Sequence, residues 1–386
     1  MEITRRDKRK ENPEGFTIGL ALVDLLPVIF FGISMVLIGR WLESITFIIG
    51  AVICVIAGLG KVTWKIILVA FRKNIRILGK QLRILMPTGF LFIVLGCILK
   101  AGKKDWGKIF GFVLESPLKI TFIITIILMA IMFIMAIKGD GNDAKTNWFE
   151  EIINSIAQFS FLLGVAYFSF AGNYYPAELE ATIAITESVS DITVEKGSNY
   201  IAFIPENPEA GFILYPGALV SYEAYAPLMK GCAQKGIIGV VVKMPDNLAF
   251  YDSDAASGIK DHFPEIDTWI VGGHSLGGAM LCNYLGEHYS EYDGLVLLGS
   301  YSVTDLSQSN LKVLCIYGSE DKVLSKEKYD ESKAFYPPDY KEIVIDGGCH
   351  ANFGNYGIQK GDGIPTIDAD AQQKIVIDAV SQLIKP

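Results

Sequence analysis

Apolar residues are distributed in two different ways along this chain. Before about residue 172 they gather in long runs separated by short basic stretches; beyond it they come in brief runs bounded by glycine and divided by amphipathic stretches. A helix that crosses a bilayer needs about 20 mostly apolar residues, because lipid offers no hydrogen-bond partners to bare backbone. Five segments approach that length: 16–39, 42–60, 84–99, 117–137 and 149–172. The fourth, PLKITFIITIILMAIMFIMAIKG, is the strongest of them, whereas the third is short and carries Pro87 and Gly89. The first is too long for a secretory leader and is followed by further spans.

After the last span the pattern changes. Residues 173–187 read as a short tether. Beyond them DITVEKG and NYIAFIP predict a hairpin, and GFILYPG, GIIGVVVKMP, TWIVGGH, GLVLLGS, LKVLCIYGSED and KEIVIDGG are short apolar runs. Helix candidates at 221–235, 276–289 and 368–384 lie between or after them. Continuous apolar runs separated by amphipathic stretches predict a mostly parallel sheet with helices on both faces. The expected architecture is therefore a multi-pass helical membrane region over 1–172, a tether, and an α/β domain over 188–386. In such sheets chemistry gathers at the carboxyl ends of the strands.

Charge divides at the same place. Residues 1–174 hold 20 Lys+Arg against 12 Asp+Glu, and residues 175–386 hold 14 against 30, which together give the net charge of −8. An acidic second half without arginine excludes a nucleic-acid surface, which needs clustered cations to displace phosphate counterions. Basic loops tend to stay cytoplasmic. The densest basic stretches are TRRDKRK and KVTWKIILVAFRKNIRILGKQLR. With five spans both fall inside and the α/β domain is extracytoplasmic. The lysines of LKAGKKDWGKIFGFVLESPLK oppose this, and four or six spans would invert it. The second basic stretch reads equally as a plain cytoplasmic loop or as a contact for anionic headgroups. Asp24, near Pro27 in the first span, marks either a polar pathway or the cap of a helix starting at Leu25; the cap is the preferred reading. Spans with so few polar residues offer a transported solute no evident route. The six cysteines follow no disulfide framework or metal-ligand spacing, so buried thiols and no metal or cofactor are expected.

The chemistry centres on Gly273-His274-Ser275-Leu276-Gly277, which fits G-x-S-x-G between a strand-like and a helix-like run. A serine hydroxyl becomes a nucleophile only when a base takes its proton. Of the four histidines, His274 lies inside the motif, and His262 and His288 are poorly placed. That leaves His350, in DGGCHANFGNYG after a strand. Asp321, just past the end of LCIYG, is the preferred carboxylate, with Glu320 and Asp305 as alternatives. The order Ser275, Asp321, His350 is the one that accompanies this type of elbow. Two backbone donors should face the developing oxyanion: the amide of Leu276, and that of Ala218 in preference to Leu219, since Pro216 has no N–H. Tyr222, Phe250 and Tyr251 are candidates to line the substrate site. Cys349, beside His350, reads as a buried filler rather than a second nucleophile.

These residues carry a resemblance. From about Tyr200 onward the chain resembles the α/β-hydrolase superfamily, and it looks most like bacterial exported or membrane-tethered hydrolases related to dienelactone hydrolases. The matching pieces are YPGALVSYEAYAPL, VVKMPDNLAF, GGHSLGGAM, GLVLLGSY, IYGSEDKV and GGCHANFGNYGIQKGDG, in that order. The resemblance implies a Ser275–Asp321–His350 triad. In the oxyanion loop the family tends to carry a second glycine followed by a charged residue, and Ala218 and Leu219 stand there instead. Only SYSVTDLSQSN separates two strands where lids usually enter, too little for a cap domain. The expected activity is cleavage of a small-molecule or lipid ester at a membrane. Acyl transfer by the same triad, or a ligand-holding sensor module, are the alternatives.

Overall fold

The computed structural model describes residues 15–103, 113–114, 119–138, 143–186 and 191–384. The basic stretch at 4–10 and most of the loop at 99–119 lie outside the described residues. The chain divides into two compact units, Met1–Asn173 and Tyr174–Pro386.

The first unit is helical. Its elements are α1 (Ile18–Leu42), α2 (Ile45–Ala70), α3 (Arg76–Lys80), α4 (Leu82–Lys100), α5 (Lys119–Lys138) and α6 (Ala144–Ala171). Among the described residues four helices are long and apolar enough to cross a membrane: α1, α2, α6, and the stretch Arg76–Lys100 that joins α3 to α4. The 20-residue α5 is a further apolar helix. Two details depart from expectation. First, α2 runs to Ala70, so much of the stretch read as a basic loop is helical. Second, Asp24 caps nothing. Thr17 caps α1 by accepting the Leu20 N–H at 3.1 Å, and Asp24 lies buried inside the helix, ion-paired to α2.

The second unit is an eight-stranded sheet in the order β1-β2-β4-β3-β5-β6-β7-β8. The strands are β1 (Ile192–Lys196), β2 (Tyr200–Pro205), β3 (Ala210–Tyr215), β4 (Ile237–Val242), β5 (Trp269–His274), β6 (Gly294–Leu298), β7 (Lys312–Gly318) and β8 (Lys341–Ile345). β1 and β2 form the expected hairpin; β2 also joins β4 antiparallel, and every other pairing is parallel. Every residue of β3, β4 and β5 is buried. Strands covered on both faces must be apolar throughout, which is why their sequences show no alternation.

One face of the sheet is covered by α7 (Leu179–Thr186), α8 (Ala226–Ala233) and α11 (Ala369–Ile384), whose Ala184, Met229 and Val376 share a core with Phe212, Leu214 and Ile270. The other face is covered by α9 (Leu276–His288) and α10 (Lys326–Ser332), with Leu281, Leu285 and Tyr329 packed among Ile213, Val271 and Leu295. The segment expected as a tether is instead part of the domain. The Tyr175 N–H donates to Leu219 O at 2.6 Å, the Ser221 N–H donates to Tyr175 O at 2.9 Å, and α7 places Ala184 and Ile185 in the core. Nothing in its sequence advertised this, because an eight-residue helix with three buried positions leaves almost no periodic signal. Residues 299–311 alone connect β6 to β7.

Candidate active site

β5 ends at His274 and α9 begins at Leu276, so Ser275 alone makes the turn between strand and helix. Its φ of 53° with ψ of −126° lies outside the regions open to side chains with a Cβ, a distortion worth about 1–3 kcal/mol. The turn is pinned on both sides. The Ser275 N–H donates to Leu298 O at 3.0 Å, and Ser300 Oγ donates to Ser275 O at 2.6 Å. Gly277 is required here, since a Cβ on it would collide with the carbonyl oxygen of Pro216.

Asp321 and His350 come from the ends of two neighbouring strands, β7 and β8, and meet beside the elbow. His350 Nδ1 is 2.8 Å from Asp321 Oδ2. Asp321 Oδ1 accepts from the amides of Val323 (2.9 Å) and Leu324 (2.8 Å). A carboxylate so engaged can only accept, so the shared proton sits on Nδ1 and Nε2 is left as a lone-pair acceptor. Gly299, at φ +50°, lies directly against this pair: a Cβ there would stand 2.9 Å from His350 Nδ1 and 3.0 Å from Asp321 Oδ2.

Ser275 and His350 line one cavity of about 240 Å³, walled also by Leu276, Ala279, Gly299, Ser300, Tyr301, Val323, Leu324 and Ser325. Buried His350 Nε2 has no hydrogen-bond partner among the described residues. No bond between it and Ser275 Oγ is formed. Nucleophile–base contacts of this kind are often long until a substrate arrives.

The backbone donors are also disposed about the elbow. Leu276 is the first residue of α9, where helical N–H groups have no partner within the helix. The Leu219 amide is already committed to Asn247 O at 2.8 Å, and the Gly217 amide donates to Tyr225 Oη at 3.0 Å. The Ala218 amide, between them, is left without an acceptor among the described residues.

Several contributors were not anticipated. Tyr225 Oη, besides accepting from Gly217, lies 2.7 Å from His274 Nδ1. His274 is 1% exposed, and its ring centroid stands 4.5 Å from that of His350. Burial, reinforced by the neighbouring His350, holds its pKa well below the usual imidazole value. Gln372 of α11 grips the residue before His350 at both ends, accepting from the Cys349 N–H at 3.0 Å and donating to Cys349 O at 2.8 Å. Asp362 accepts from the Ala351 amide at 2.8 Å and from the Lys322 amide at 3.3 Å, joining the loops that bear His350 and Asp321. Only the buried Gln in an amphipathic helix carried a signal in the sequence.

The other candidates lie elsewhere. Glu320 and Asp305 make local bonds with Ser319 and Ser307. Tyr222 packs against the core that includes Phe212 and Leu214, while the rings of Phe250 and Tyr251 lie 4.2 Å apart at a 45° tilt and stay half exposed; none of the three lines the cavity. The cavity wall is made instead by Tyr301, Val323 and Leu324, from the segments leaving β6 and β7, across β5 from the exits of β3 and β4. The Cys349 thiol is pushed up to about 11 by burial, so it stays protonated near neutral pH. No cluster of three or more His, Cys, Asp or Glu suited to a metal occurs among the described residues.

Residues 211–374 match the family described as Alpha/beta hydrolase family. No curated protein matches the chain significantly. Among solved structures the chain is similar to Est1E from Butyrivibrio proteoclasticus, at 12% identity over 50% of this chain and 99% of that one, with a TM-score of 0.38. It is similar also to a soluble variant of monoglyceride lipase from Saccharomyces cerevisiae, at 10% identity over 52% and 95%, with a TM-score of 0.39. A third is alpha/beta hydrolase domain-containing protein 10 from mouse, at 13% identity over 50% and 98%, with a TM-score of 0.38.

Proposed function

We propose that this α/β-hydrolase domain, which follows four long apolar helices, is a membrane-anchored serine hydrolase that cleaves an ester or related acyl bond in a small-molecule or lipid substrate. One observation carries the reading. A serine held in a strained turn shares a cavity with an imidazole whose far nitrogen is bonded to a buried carboxylate and whose near nitrogen is unengaged.

In this reading His350 Nε2 takes the hydroxyl proton as Ser275 Oγ attacks the acyl carbon, and the carbonyl oxygen becomes an oxyanion between the amides of Leu276 and Ala218. The imidazolium, steadied by Asp321, returns the proton to the departing alcohol, leaving an acyl-serine. Water attacks in the same way, giving up its proton to Nε2, and release of the acid restores the serine. The motifs favour kinship with dienelactone-hydrolase-related exported enzymes, and the lysine and arginine distribution, with the 20-residue α5 taken as a fifth span beside the four long helices, favours an extracytoplasmic hydrolase domain.

A membrane-impermeant fluorophosphonate applied to intact cells tests nucleophile and sidedness together. Labelling of the native protein and none in Ser275→Ala supports both. Labelling only after lysis overturns the sidedness, and its absence in lysate overturns the hydrolase.

A further inference from the structure

Four charged side chains meet among the apolar helices. Lys61 Nζ of α2 is 3.1 Å from Asp24 Oδ1 of α1 and 2.6 Å from Glu151 Oε1 of α6; Lys65 Nζ is 3.0 Å from Asp24 Oδ2 and 3.2 Å from Glu151 Oε1. Asp24, Lys65 and Glu151 are all but fully buried, while Lys61 is 30% exposed. Two cations and two carboxylates sum to zero. Pairing explains why these charges are tolerated. It does not explain their presence, since apolar side chains of similar volume would pack there without losing hydration.

A cavity of about 290 Å³ opens beside the cluster, within the helical unit. Its lining changes character along the helices. On α1 it runs from Asp24 to Phe31, seven residues or about 10 Å at 1.5 Å per residue, and on the antiparallel α2 from Lys61 back to Cys54. The level of Asp24 and Lys61 is ionic; the level of Phe31 and Cys54 is apolar and includes Met86 and Phe90 of α4. Two amides of α6 also line it: Asn154, one turn from Glu151, and Gln158 a turn further on, which directs its nitrogen to Met129 Sδ at 4.0 Å. The cavity therefore has the polarity of an amphiphile.

Lys61 carries three N–H donors. Asp24 and Glu151 take two, and the third has no partner among the described residues; of the two cluster members that border the cavity, Asp24 and Lys61, Lys61 is the one that can donate. We propose that this cavity binds an uncharged amphiphile, whose hydroxyl or ether oxygen accepts the third Lys61 N–H while its chain lies between α1 and α4. Charge balance selects the head. The cluster is already neutral, so an anionic head would leave one surplus negative charge and a cationic head one surplus positive, each costly away from water. At about 30 Å³ per water-sized volume the space admits a small head and several methylenes, with the rest of the chain in lipid. The site does not depend on hydrolysis at Ser275.

The test uses the full chain in nanodiscs and a 1-O-alkylglycerol ether bearing a diazirine and an alkyne in its tail. The ether linkage keeps the probe intact whatever the hydrolase domain does. Saturable photolabelling should map to peptides of α1, α2, α4 or α6. Unlabelled alkylglycerol should compete for it at about tenfold lower concentration than an alkyl phosphate or an alkyltrimethylammonium of the same chain length, a selectivity of about 1.4 kcal/mol. Met86→Trp, which fills the apolar end and spares all four charges, should abolish the saturable part. Equal competition by all three heads in the unaltered protein overturns head selection, and labelling that never saturates removes the site.

Discussion

His350 Nδ1 and Asp321 Oδ2 lie 2.8 Å apart with both side chains 1% exposed, and the second Asp321 oxygen is held by two backbone amides. The carboxylate is thus fixed before the imidazole is considered. It dictates which ring nitrogen carries the proton and leaves Nε2 with the free lone pair, on a residue that lines the same cavity as Ser275.

Asp321→Asn should preserve the amide contacts through its carbonyl oxygen but turn an NH₂ toward His350. The imidazole must then accept at Nδ1 and carry its proton on Nε2, where it cannot act as base. Turnover of a small aryl ester should fall about 10⁴-fold with thermal stability little changed. A loss below tenfold in the purified protein would mean that Asp321 does not set the tautomer.

Ser275→Gly should separate stability from activity. It removes the hydroxyl and also a side chain from a backbone conformation that disfavours one. Relief of about 1–3 kcal/mol of strain exceeds the added unfolded-state entropy of about 0.4–1 kcal/mol, for a net gain near 1 kcal/mol. Fluorophosphonate labelling should vanish while the midpoint of the hydrolase domain's thermal transition rises by about 2–4 °C. A lower midpoint would show that the turn is not strained.

Tyr225→Phe removes one hydroxyl that serves two groups, the Gly217 amide and His274 Nδ1. Each buried group left without a partner costs about 1–3 kcal/mol. The loop bearing the Ala218 amide also loses its anchor, so kcat should drop at least about tenfold with KM nearly constant. Calorimetry and initial rates on the same preparation would read both effects; an unchanged kcat would separate Tyr225 from oxyanion binding.

His274 should make the domain acid-sensitive. Its folded pKa is well below the usual value, chiefly through burial, whereas in the unfolded chain it is about 6.5. Below pH 6.5 the unfolded state therefore binds the extra proton. The stability associated with a neutral His274 is complete above that pH and is lost as pH falls toward the folded-state value, at up to about 1.4 kcal/mol per unit. Denaturant titrations between about pH 7 and 5 should show this slope in the native chain and a shallower one in His274→Asn, where the amide oxygen still accepts from Tyr225. Identical slopes would contradict a buried neutral imidazole.

Much of the second unit was legible because its signals are local. Runs such as GIIGVVV and GLVLLG are apolar throughout since both of their faces are covered, and the glycines around Ser275 record a close approach of strand and helix. Asp321 and His350 were legible by position, at strand ends and in the right order. The rest depends on distance in sequence. Lys61 meets Asp24 across 37 residues and Glu151 across 90, and no periodicity encodes such a meeting. Asp24 therefore looked like a cap, and the helices looked poorer in buried polar groups than they are. The aromatic candidates Tyr222, Phe250 and Tyr251 failed for a related reason. Exits from β3 and β4 are visible in sequence, but which exit walls the cavity depends on how the loops after β6 and β7 fold.

The bridge between Tyr175 and Val220 bears on anyone who would express the second unit by itself. Scissors placed at residue 188, where sequence alone puts the boundary, would cut away the strut that braces the turn holding Ala218 and would lay bare the core beneath Ala184 and Ile185. A cut before Tyr174 spares both. An inert short fragment beside an active long one would trace the fault to the place of the incision and leave the chemistry itself unimpeached.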